Sequence, residues 1–306
     1  MTSNSAILGL TVYLFGSGLA FFLGVGCVWS SMALFAIPAR RWINRLAVVI
    51  CVLGLIFIGL SAAPFPSWFY AIAGSLTFGW LIVEQTSRVG LQRWKARLRI
   101  LVGLTWLAGV TWELPYQLSP TVNATGNPPL FIIADSVTAG VGEREAVTWP
   151  VLLERAHPVQ VHDYSRMGAG VVSAYAQAER LPDASGGIVL LEIGGNDLLG
   201  TTSLATYEQG LDRLLTRVAT HDRTVIMFEI PLPPLCNEFG RIQRRVAARH
   251  GVPLIPKRLL MQILATPGHT LDSIHLSQAG HNQLAALVWK LIQPAYLPQA
   301  KPSGPS

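Results

Sequence analysis

The sequence predicts an α/β domain on a five-stranded parallel sheet with helices on both faces, preceded by an all-α bundle of about four membrane-spanning helices. Three observations lead there. Residues 1–118 are strongly apolar, whereas 130–296 carry the charges and turn residues of a soluble domain. Within 130–296, short apolar runs alternate with amphipathic stretches, the pattern of repeated βα units with right-handed crossovers. Between the halves, 119–129 holds Pro120, Pro128 and Pro129 among Ser, Thr, Asn and Gly and reads as a short, stiff tether.

The apolar half contains four stretches, 6–37, 46–63, 66–83 and 100–112, against a need of about 20 residues per span. The first is longer than a span needs, the third contains Gly74 and Gly79, and the last reaches full length by running on to Tyr116. A three-span arrangement with one re-entrant segment is the alternative count. Arg40, Arg41 and Arg45 fill the first loop, and Arg88, Arg93, Lys95, Arg97 and Arg99 fill the third. Such loops stay in the cytoplasm. The uncharged loop 61–68 and the stretch after Trp112 then lie outside, so a four-span chain in an inner or plasma membrane holds residues 130–296 on the periplasmic or extracellular side. Met1 to Ser5 has no positive side chain and the first apolar run exceeds a signal core, so the segment is expected to be retained.

The loop cations also account for the basicity. Those eight side chains exceed the whole formal charge of +6, and the soluble half has no basic stripe with interleaved aromatics, so nucleic acid is discounted as a partner. Cys27 and Cys51 fall in expected spans and Cys236 stands alone in the outer domain, which gives no disulfide framework. The Asn123-Ala124-Thr125 sequon is read as a chance match. Glu84 ends the third span, where its carboxylate can reach the interface.

In the soluble half the strands are read at 130–134, 159–164, 187–193, 224–230 and 252–255, and the helices at 148–156, 170–180, 203–220, 237–250 and 277–292. The tail, 297–306, rich in Pro and Ser, is read as disordered. In a parallel sheet, ligands gather at the carboxyl ends of the strands. Three short blocks sit there or just before the closing helix: Ala134-Asp135-Ser136, Gly194-Gly195-Asn196-Asp197 and Asp272-Ser273-Ile274-His275.

A hydroxyl needs a base to remove its proton, an acid to orient the base and donors for the oxyanion. Ser136 follows the buried run Leu130-Phe131-Ile132-Ile133 at a point where the strand must turn and leave a side chain exposed. Asp272 and His275 are three residues apart, so one turn lets the carboxylate accept from one ring nitrogen and leaves the other for the serine. His157, His162, His221, His250, His269 and His281 have no carboxylate at that spacing and are read as surface or structural groups. The amide of Asn196, the N–H of Gly168 and the N–H of Ser136 are the candidate oxyanion donors, with Gly170 an alternative to Gly168. No Gly-x-Ser-x-Gly, metal-ligand spacing or phosphate-cradling glycine loop is present, and neither a metal nor a cofactor is expected.

On these blocks the chain resembles the SGNH (GDSL) hydrolase superfamily, nearest its thioesterase I/lysophospholipase L1 group, over about residues 130–292. The resemblance implies a flavodoxin-like three-layer sandwich, Ser136 as nucleophile, Asp272 and His275 as acid and base, and Ser136, Gly168 and Asn196 as the oxyanion hole. It implies an esterase or thioesterase working through an acyl-enzyme on lysophospholipid, short acyl or O-acetyl esters, here tied to a membrane. The first block departs from the family, which begins it with Gly where this chain has Ala134; a positive φ there would strain the turn. Two other functions follow from the same residues: an envelope O-acyltransferase using the same acyl-enzyme, and an inactive domain that only binds a glycan or a membrane partner.

Overall fold

A computed structural model of the chain describes residues 3–37, 41–86, 92–122, 124, 126–142, 146–183 and 186–296. Arg40, Arg88, Asn123 and Thr125 of the sequon, and the tail 297–306 lie outside the described residues. The chain forms two compact units, one of Met1–Leu118 with Pro231–Arg241, the other of Ser119–Ile230 with Ile242–Ser306.

The first unit contains helices α1 (Ser3–Gly16), α2 (Leu19–Ala36), α3 (Arg41–Leu60), α4 (Ser67–Glu84) and α5 (Gln92–Glu113). The first expected span, 6–37, is therefore two helices. The break falls at Ser17-Gly18, where Gly18 takes φ 84° and the Ser17 hydroxyl accepts the Leu19 N–H at 3.3 Å. Gly74 and Gly79 do not interrupt α4, because a continuous helix needs no special φ at either and both face open space. The last expected span begins earlier than its apolar run, since α5 takes Arg93, Lys95, Arg97 and Arg99 into its first turns. Among the described residues two helices, α2 and α3, are long and apolar enough to cross a membrane by length and composition.

Packing in this unit is closest between α2 and α3. A Cβ on Gly24 would lie 2.5 Å from the Gly54 carbonyl oxygen, and one on Gly54 would lie 2.6 Å from that of Gly24. Such backbone approach is open to glycine, which places no side chain between the two helices. Phe21, Phe65, Phe69, Trp80 and Trp106 fill the interior, and Trp106 donates its indole N–H to Thr77 Oγ1 at 3.0 Å. Glu84, the last residue of α4, turns toward its helix neighbours. Its side chain is buried, pairs with Arg99 at 2.5 Å and accepts the Trp80 indole N–H at 3.1 Å. In the segment 231–241, Arg241 donates to the Phe65 carbonyl at 2.7 Å.

The second unit is a five-stranded parallel sheet in the order β2-β1-β3-β4-β5, the flavodoxin-like order. Its strands are β1 (Leu130–Ala134), β2 (Val161–Asp163), β3 (Gly187–Glu192), β4 (Arg223–Phe228) and β5 (Leu254–Ile255). Between them run α6 (Ser136–Ala139), α7 (Trp149–Ala156), α8 (Val171–Ala178), α9 (Gly195–Leu199), α10 (Leu204–Val218), α11 (Asn237–Arg249, of which the residues up to Arg241 belong to the first unit), α12 (Lys257–Leu264) and α13 (Gln278–Ile292). Strands β1 and β3 are buried along their whole length, as unbroken Leu, Ile and Val runs covered on both faces require. Leu130, Ile132, Ile188, Leu190, Ile226 and Phe228 share one face and pack with Trp149 and Leu153 of α7 and Leu284 and Val288 of α13. The alternate residues Phe131, Ile133, Val189 and Leu191 are buried on the other face.

Helices α6, α9 and α12 are additions to the expected pattern. The first two are a single turn or little more, too short to show a helical period. Helix α12 buries Leu260, Met261 and Ile263 directly after Pro256, a residue that suits the entry to a helix.

Gly54→Val is expected to push the α2–α3 backbones apart and destabilise the first unit by about 1–3 kcal/mol. A fall in the melting temperature of the purified full chain, with Gly59→Val as the harmless comparison in open space, measures it.

Candidate active site

Ser136 opens α6 immediately after β1 and Asp135. The Asp135 carboxylate caps that turn by accepting the Val137 N–H at 2.9 Å. Ala134 is held at its peptide by Gln177, whose Oε1 accepts the Ala134 N–H and whose Nε2 donates to the Ala134 carbonyl, both at 3.1 Å. Among the described non-glycine residues only Asn127 and Leu235 have positive φ. Alanine in place of glycine is thus an ordinary strand residue here, and the strain that a positive φ at Ala134 would bring does not arise.

Asp272 and His275 lie in a tight loop closed by the Thr270–Leu276 bridge and by the Leu271 N–H donating to the His275 carbonyl at 2.8 Å. Asp272 Oδ1 accepts the N–H groups of Ile274 and His275 at 2.7 and 2.8 Å, and Oδ2 meets His275 Nδ1 at 2.7 Å. A carboxylate can only accept, so Nδ1 carries the imidazole proton and Nε2 presents its lone pair. That nitrogen lies 3.1 Å from Ser136 Oγ. The His275 ring and these two backbone N–H groups hold the Asp272 carboxyl far below its ordinary range. Its side chain is more than half exposed, so the ionised form also keeps water.

The candidate donors differ in what they already bind. Among the described residues the N–H groups of Ser136 and Gly168 have no acceptor. The Gly170 N–H donates to Ser173 Oγ at 3.0 Å, which separates it from Gly168. A Cβ at Gly170 would meet the Asp197 carboxylate at 2.8 Å, and that carboxylate accepts the Val171 N–H at 2.8 Å, so the loop after β2 is pinned to α9. Asn196, near the start of α9, has both amide hydrogens engaged: Nδ2 donates to the Ala169 carbonyl at 3.0 Å and to Asp135 Oδ2 at 3.2 Å. The longer of these bonds is the one an oxyanion could share.

Two further carboxyls stand behind the serine. Asp135 and Glu192 are both buried at neighbouring strand ends, and their carboxyls interact. Glu192, the last residue of β3, also accepts from Thr138 Oγ1 at 3.1 Å, and Thr138 Oγ1 in turn accepts the Trp149 indole N–H at 3.1 Å. Burial pushes the Asp135 carboxyl up to about 6 and the Glu192 carboxyl well above the usual range. The sequence reading gave neither a role. The available signal was a lone Glu at the end of an otherwise apolar central strand.

Residues 135–283 match the profile of the GDSL-like Lipase/Acylhydrolase family. The chain is 28% identical to Esterase TesA of Pseudomonas aeruginosa over 178 residues, which span 54% of this chain and 88% of that protein. It is 28% identical to Thioesterase 1/protease 1/lysophospholipase L1 of Escherichia coli over 194 residues, 60% of this chain and 93% of the other. A crystal structure of TesA superposes with 25% identity and a TM-score of 0.47, covering 55% of this chain and 99% of that one. The crystal structure of the esterase EstA from Pseudoalteromonas does so with 18% identity and a TM-score of 0.48, covering 55% and 98%.

Asp272→Asn keeps the loop's shape but lets the side chain donate to the ring and reverse its tautomer. The variant is expected to lower kcat roughly 10⁴-fold on a p-nitrophenyl ester. A loss under tenfold would remove Asp272 from the reaction.

Proposed function

We propose, with residues 135–283 as a GDSL/SGNH-type serine ester hydrolase domain, that the chain cleaves acyl esters or thioesters through an acyl-enzyme on Ser136. The single observation behind it is the relay from Ser136 Oγ to His275 Nε2 at 3.1 Å and from His275 Nδ1 to Asp272 at 2.7 Å. In the first step His275 Nε2 takes the Ser136 proton while Oγ bonds to the acyl carbon and the carbonyl electron pair moves to oxygen. The N–H groups of Ser136 and Gly168 and the amide of Asn196 receive that oxyanion. Collapse expels the alcohol or thiol, which leaves with the proton held by His275. Water then gives a proton to the same nitrogen as its oxygen attacks the acyl carbon, and collapse returns that proton to Ser136 Oγ, releasing the acid and the free hydroxyl.

The names of the relatives, an esterase and a thioesterase/lysophospholipase, support esters, thioesters and lysophospholipids as the substrate class, within which we include short acyl and O-acetyl esters. We further infer a membrane address with about four spans. Val49, Val52, Leu53 and Ile56 of α3, Ile72, Phe78 and Ile82 of α4, and Leu101, Leu104 and Leu107 of α5 are exposed large apolar side chains. Rows of that kind exceed what a water-facing surface carries. With the basic loops in the cytoplasm, the hydrolase domain works in the periplasm or outside the cell.

A fluorophosphonate probe is expected to label the wild-type chain and to leave Ser136→Ala unlabelled; equal labelling of both would end the assignment. Protease added to the outer side of right-side-out vesicles should remove the hydrolase domain, and full protection would put it in the cytoplasm. Hydrolysis alone, with no acylated product when a sugar or lipid hydroxyl is supplied, separates the esterase from the acyltransferase.

A further inference from the structure

The two carboxyls behind Ser136, those of Asp135 and Glu192, are both buried. Among the described residues no Lys or Arg pairs with Asp135 or Glu192. The charged or titratable groups facing Asp135 are Glu192 of β3, His275 of the loop before α13, and Asp197 of α9. Glu192 shares its sheet face with Ile188 and Leu190 and lies beside the buried Thr138 and Trp149. Two ionised carboxylates touching in such surroundings would repel each other without water to screen them, so the pair must keep a proton.

The hydrogen bonds say which partner holds it. Asp135 accepts the Val137 N–H through Oδ1 and the Asn196 amide through Oδ2, both suited to an ionised carboxylate. Glu192 accepts from the Thr138 hydroxyl, with a smaller contribution from the Asp135 N–H, and otherwise faces the Asp135 carboxyl. We propose that Glu192 is a positioning residue: it stays neutral, donates its proton to the Asp135 carboxylate, and so fixes the carboxylate that holds both the Ser136 turn and the Asn196 amide. This rests on the serine hydrolase reading above. Glu192 touches no reacting atom; it acts through Asp135.

Burial raises both carboxyls, which agrees with a pair that keeps one proton at neutral pH. Gln at 192 can still donate to Asp135 and carries no charge, whereas Leu has similar bulk and cannot donate.

The test uses the full chain in detergent, and fluorophosphonate labelling of the wild type is scored first. No labelling would overturn the serine hydrolase reading itself, independently of Glu192. With labelling present, E192Q is expected to keep kcat within about threefold, with a pH profile of kcat/KM that superposes on the wild type. E192L is expected to lower kcat roughly 10- to 100-fold at a nearly unchanged KM, below the loss of roughly 10²–10³ for deleting an oxyanion donor outright. If Glu192 were ionised, E192Q would delete a negative charge beside Asp135 and move the acid limb to lower pH by about one unit or more. Such a displacement overturns the proposal, as does wild-type kcat in E192L. Should E192L fail to fold, the E192Q profile decides alone.

Discussion

Parallel pairing of β1 with β3 is the constraint from which the site follows. The register sets Ala134 opposite Glu192, and the ladder runs on one step as the Asp135 N–H donates to the Glu192 carbonyl at 3.1 Å. Both chains leave the sheet from that level, one into Ser136 and the other through Gly194 and Gly195 into Asn196. Strand order changes direction at this pair, because β2 lies outside β1 while β4 and β5 continue beyond β3. A crevice between the two departing loops is the result. A slip of one residue would turn Glu192 to the opposite face and break its bonds to Asp135 and Thr138.

Much of this was legible because the central strands are buried on both faces and so appear as unbroken apolar runs. The strand read at 130–134 has the same bounds in the structure, and that read at 187–193 is longer by one residue. The edge strands are shorter than read: β2 spans three residues rather than six and β5 two rather than four. A single neighbour leaves fewer ladder bonds, and chain ends there drift away from the sheet. At the N-terminus, hydropathy sees composition rather than φ, so the turn at Ser17-Gly18 was invisible inside a continuous apolar run. Likewise the start of α5 lies among cations that a window on hydropathy assigns to a loop.

The side chains proposed to react were readable because their roles demand particular residue types at local spacings. Asp272 and His275 meet within one loop, so three residues of separation foretold a contact. The surroundings of Ser136 were less legible because they depend on residues distant in sequence. Gln177 grips the peptide of Ala134 from α8, and Glu192 reaches Asp135 from β3. The same remoteness hid that both hydrogens of the Asn196 amide have acceptors already.

Three carboxyls around one serine thus live in opposite conditions. Asp272 sits in a water-exposed loop, where the ring of His275 and two backbone N–H groups favour its charge. Asp135 and Glu192 lie in the core, where desolvation and mutual repulsion oppose a second charge. The separation has a chemical consequence. An acid that orients His275 must stay ionised while the imidazolium forms, and exposure with good donors secures this. A carboxyl that supports the turn from behind must not add a second negative charge next to a developing oxyanion, and burial among apolar side chains keeps Glu192 neutral. Environment, rather than residue type, therefore divides the labour among them.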